Sequence, residues 1–87
     1  MIYFRLPDVW NVSSLIVHLR QMLQIRSGEA TWVDGRYRLG PADTIWLSPR
    51  DAQGLFCLAC EGVDKLKIQA FSLMLFWRLG AEDVRVE

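Results

Sequence analysis

At 87 residues the chain has room for one domain, and its 52% hydrophobic and 23% charged residues exclude a disordered or low-complexity tract. Ten basic side chains, eight of them arginine, balance ten acidic ones. That balance leaves no global field to hold a polyanion by counterion release. Residues 1–50 carry six arginines against four acids and residues 51–87 four bases against six acids, a split too mild to name a partner. Arg5, Pro7 and Asp8 precede any long apolar stretch, unlike a signal peptide, and no apolar run approaches the roughly 20 residues that cross a bilayer. Two cysteines are too few to staple a secreted scaffold. The expectation is a cytoplasmic protein with reduced thiols and no membrane contact.

Ile2 to Leu6 is β-rich and closed by Pro7-Asp8, so it reads as a strand that opens a sheet. From about Ser13 to Arg26, Val12, Leu15, Ile16, Leu19, Met22 and Leu23 keep the spacing of an amphipathic helix. Asn11 or Ser13 caps it and Gly28 supplies the stop. Between Ala30 and Leu39 an Asp34-Gly35 pair separates two β-favouring runs, the strongest short-range signal for a hairpin. A two-residue turn sets Val33 opposite Arg36, Trp32 opposite Tyr37 and Thr31 opposite Arg38. Alternation then gives a face of Ala30, Trp32, Tyr37 and Leu39, expected to be buried, and a face of Thr31, Val33, Arg36 and Arg38.

Gly40-Pro41-Ala42-Asp43 is a turn and Thr44 to Leu47 a third strand. The expected loop has four residues and places Trp46 beside Tyr37 in an aromatic ladder with Trp32, whereas a three- or five-residue loop turns Trp46 to the arginine face. Ser48-Pro49-Arg50-Asp51 resembles a capping box with proline at the first helical position. With Ala52, Leu55, Phe56, Ala59 and Cys60 at helical spacing, a second helix is predicted up to Gly62. Asp64 caps a third from Lys65 to Leu79, stopped by Gly80, although Lys65 to Gln69 also alternates like a strand. Apolar residues nearly encircle that helix after Ala70, so it is central or covers the sheet. Asp83 to Glu87 is a terminal edge strand, placed beside Ile2 to Leu6. The expected fold is a single α+β domain over residues 1–87 in the order β-α-β-β-β-α-α-β. Its antiparallel sheet has a central Asp34-Gly35 hairpin packed against helices.

The motif-like spacing is Cys57-Leu-Ala-Cys60, with His18 as the one further metal ligand of quality. On the predicted helix both cysteines lie in the last turn, where the dipole disfavours a thiolate, and three ligands fall short of a structural zinc site. Small, buried, inert cysteines are the reading, with no cofactor. No glycine-rich phosphate loop, nucleophile elbow or paired metal-binding carboxylates occur, and His18 shares its helix face with Ser14 and Gln21, away from any orienting carboxylate. The chain therefore does not read as an enzyme.

A contact surface remains. Arg36 and Arg38 share one strand face with Arg50 close in sequence, and arginine forks recur in protein interfaces. The expectation is a small non-catalytic protein, an inhibitor, adaptor or regulator of the kind phages and mobile elements encode, that binds another protein through Arg36, Arg38, Arg50 and Trp46. The alternatives are nucleic-acid binding through the same arginines with Trp46 as a stacking platform, and a metal or thiol protein using Cys57, Cys60 and His18. A homodimer is open through two edge strands or the apolar third helix.

Overall fold

The computed structural model describes residues 1–8 and 10–87. Eight elements follow in order: β1 (Ile2–Arg5), α1 (Val12–Met22), β2 (Thr31–Val33), β3 (Arg36–Arg38), β4 (Ile45–Ser48), β5 (Phe56–Cys60), α2 (Lys65–Leu79) and β6 (Glu82–Val86). The strands form one six-stranded sheet in the order β2-β3-β4-β5-β1-β6, with every neighbouring pair antiparallel. An α+β domain with an antiparallel sheet packed against helices is thus what the chain forms.

Both helices cover the same face of the sheet. Ile2, Phe4, Leu47, Phe56 and Leu58 point to that side and join Leu15, Leu19 and Met22 of α1 and Leu75 and Leu79 of α2 in one buried cluster. Tyr3, Trp46, Cys57 and Ala59 alternate with these residues and therefore lie on the side that no helix covers. Among the described residues no helix is long and apolar enough to cross a membrane.

The ends of α2 follow its sequence signals. Asp64 caps it by accepting from the Lys67 N–H at 2.9 Å, and Gly80, at φ +68°, takes the left-handed stop. Lys65 to Gln69 is therefore helical. The N-terminus of α1 is equally regular, with the Asn11 side chain accepting from Ser14 N–H at 2.8 Å. Its C-terminus comes earlier than predicted. Gln24 at φ +59° turns the chain, with Gln24 N–H donating to Gln21 O and Ile25 N–H to Arg20 O, the bond pattern of a Schellman stop without its usual glycine. The early stop lets Leu23 and Ile25 both pack against the core.

The hairpin has the expected register, Thr31 with Arg38, Trp32 with Tyr37 and Val33 with Arg36, around Asp34 and Gly35 at φ +51° and +86°. Its position differs. It forms one edge of the sheet rather than the centre, because residues 56–60 are a strand and not the predicted second helix. Leu55 to Cys60 is a continuous apolar run, the pattern of an inner strand, and periodicity alone does not separate that from a buried helix. Asp51 serves a turn here rather than a helix cap. Its carboxylate accepts from the N–H groups of Gln53 (2.8 Å) and Leu55 (3.0 Å), and Gly54 at φ +80° completes a tight turn that delivers Phe56 opposite Phe4. The element order is β-α-β-β-β-β-α-β.

At the edge, Trp32 lies beyond the cover of the helices and is 56% exposed, against the expectation of burial. It keeps an edge-to-face contact with half-buried Tyr37, ring centroids 4.7 Å apart. The opposite edge, β6, pairs with β1 as expected but with a shift in register, where Asp83 at φ +52° bonds Arg5 at 3.2 Å.

Candidate functional site

The register of β3 on β4 settles the position of Trp46. Tyr37 pairs with Leu47 and Arg38 with Trp46, and Leu39 N–H donates to Ile45 O, so the connection spans five residues, 40–44. This corrects the four-residue loop and the three-strand aromatic ladder. The register that buries Leu47 and Leu39 against the helices prevails, and Trp46 is turned to the helix-free face beside Arg36 and Arg38.

Trp46 is nonetheless only 7% exposed. The Arg36 guanidinium lies over its indole at 4.0 Å, and its ring N–H donates to Asp43 O at 3.3 Å. Arg38 bonds the Asp43 carboxylate at 3.0 Å. A covered indole offers no open face for stacking a base. Arg50 is on the other side of the sheet. It lies over Phe56 at 5.1 Å and donates to Asp8 Oδ1 and to the carbonyls of Leu6 and Pro7 at 3.3–3.4 Å. The structure joins Arg36, Arg38 and Trp46, separates Arg50 from them, and engages all three arginines within the chain.

Cys57, Cys60 and His18 are likewise separate. Three apart on β5, the two cysteines point to opposite faces of the sheet. Burial pushes both thiols above their ordinary pKa, which lowers their thiolate content at neutral pH. His18 is on α1, where its ring stands edge-on to Trp10 and its Nδ1 donates to Ser14 O at 2.8 Å. Among the described residues no three His, Cys, Asp or Glu side chains gather as a metal would need.

A second surface carries more apolar area than the arginine face. On α2 the inward side is Ile68, Phe71, Leu75 and Leu79, and the side turned away from the sheet is Leu66, Ala70, Leu73 and Trp77, with Phe76 adjoining. Leu66 is 79% exposed, Leu73 60%, Phe76 55% and Trp77 77%. A helix on a protein surface ordinarily turns polar residues outward. Phe76 and Trp77 meet edge to face at 5.5 Å, which holds the two rings in place. The sequence signal was present in the apolar residues that encircle the helix after Ala70. It divides into two seams, of which a single domain buries one.

Comparisons with protein-family models, with curated proteins and with solved structures found no match to this chain.

Proposed function

We propose that this chain is a non-catalytic domain that acts by binding another protein, and that the outward face of α2 is its contact surface. The observation that carries this reading is the exposure of Leu66, Leu73, Phe76 and Trp77 as one contiguous patch. Patches of large apolar side chains on otherwise ordinary surfaces mark places where another protein is covered and covers. Leu66, Ala70, Leu73 and Trp77 follow one another at intervals of four, three and four residues, the spacing at which side chains of one helix enter the gaps of another. The matching partner presents an apolar helix face. The arginine face contributes less, because Arg36 and Arg38 are held by Trp46 and Asp43.

A photo-crosslinking side chain at position 73 tests this reading in the native cell. It should join the chain to a protein partner, while the same group at exposed Asp34 should not. Equal products from the two positions, or none from position 73, would count against α2 as the contact surface.

A further inference from the structure

Resting on that reading of α2, we infer that the helix covering this face is α2 of a second copy, in an antiparallel pair about a two-fold axis near Leu73. Three features of the seam point to self-association. First, Leu66, Ala70, Leu73 and Trp77 carry no charge, and the three bases of the helix, Lys65, Lys67 and Arg78, stand to either side of this seam rather than on it.

Second, the seam is complementary to itself in shape. Ala70 is its one small residue and Trp77 its largest, seven positions away. An antiparallel pair centred at residues 73 and 74 lays each Trp77 over Ala70 of the partner subunit, and Leu73 meets its own copy at the axis.

Third, the area fits a weak pair and the alternatives are guarded. In this register Ala70, Leu73, Phe76 and Trp77 offer roughly 400 Å² per copy, on the scale of a weak, concentration-dependent pair. The edge strands are worse templates. β2 has three residues, and β6 is interrupted at Asp83 and lined by Glu82, Asp83 and Arg85, features that protect an edge from pairing.

Sedimentation equilibrium from micromolar to millimolar concentration tests the pair. The wild-type chain should pass from its 10.1 kDa monomer to twice that mass. Leu73→Glu, at an exposed site that does not take part in the core, should stay monomeric with an unchanged far-UV circular dichroism spectrum. Ala70→Trp, at an exposed position where the pair seats Trp77 of the partner subunit, should likewise weaken the dimer at least about tenfold, a comparison that holds even if Leu73→Glu perturbs folding. A wild-type chain that remains monomeric at millimolar concentration overturns the self-pairing. In that case crosslinking from position 73 to a different protein still upholds the broader reading of α2. A dimer that survives both Leu73→Glu and Trp77→Glu overturns this interface.

Discussion

Arg36 and Trp46 lie diagonally across β3 and β4 on the helix-free side of the sheet, the guanidinium carbon 4.0 Å from the indole centroid. This contact explains how a tryptophan is nine-tenths covered on a face that no helix reaches. The arginine serves as the lid of a small outer layer, with Asp43 accepting from the indole N–H through its carbonyl and from Arg38 through its carboxylate. The residues that look in sequence like a cationic patch also cover, in the folded chain, its own aromatic residue.

Removing that lid should weaken the fold. Arg36→Ala uncovers the indole and deletes the stacked cation, with an expected loss of about 0.5–1 kcal/mol in urea unfolding at fixed protein concentration. Arg36→Lys should recover only part of it, since a compact, strongly hydrated ammonium stacks less well than a planar guanidinium. Equal stability of all three chains would show that the stack adds nothing.

The local signals were legible where chemistry within a few residues decides the structure. Asp34-Gly35 forms its turn with the predicted register, and Asp64 and Gly80 bound α2 as read. The failures share a different cause. Ser48-Pro49-Arg50-Asp51 satisfies the rules of a helix start, but Asp51 can serve a turn as well as a cap, and Leu55 to Cys60 is apolar at every position. Whether such a run is strand or helix depends on its neighbours, and β1 and β4 offer Phe56 and Leu58 a place between them. Trp46 takes the opposite face from the expected one because the loop before it is one residue longer, which reverses every side chain on a strand. The site was the least legible part: the residues of α2 were all in view, but which of its two apolar seams meets the sheet follows only from the packing of Leu75 and Leu79.

The turn at Asp51 should make stability depend on acid. The Leu55 and Gln53 N–H groups hold its carboxyl below the ordinary carboxylate range. The folded pKa being lower than the unfolded one, its contribution is fully present above about pH 4 and is lost as pH falls through the depressed folded value. Asp51→Asn keeps an acceptor oxygen but cannot ionise. It should therefore be less stable than the wild type at neutral pH, with the gap narrowing towards pH 2. Urea midpoints of the two chains across this range check the sign, and a gap that does not change with pH would contradict it.

Gln24 supplies the opposite kind of test, a place where the natural residue is a poor fit. Its φ of +59° is a conformation that costs an ordinary L-residue roughly 1–2 kcal/mol and glycine almost nothing. The Gln24 side chain is exposed, and the bonds that close α1 come from the backbone N–H groups of Gln24 and Ile25, which a substitution at this position leaves in place. Gln24→Gly should therefore stabilise the protein. Glycine's larger unfolded-state freedom takes back about 0.5–1 kcal/mol, leaving a net gain of about 0.5–1 kcal/mol and a rise in Tm of a few degrees. Gln24→Val, whose branched side chain tolerates this conformation worst, should lower Tm instead. If glycine lowered Tm as well, the stop at the end of α1 would owe its stability to the glutamine side chain rather than to the backbone turn.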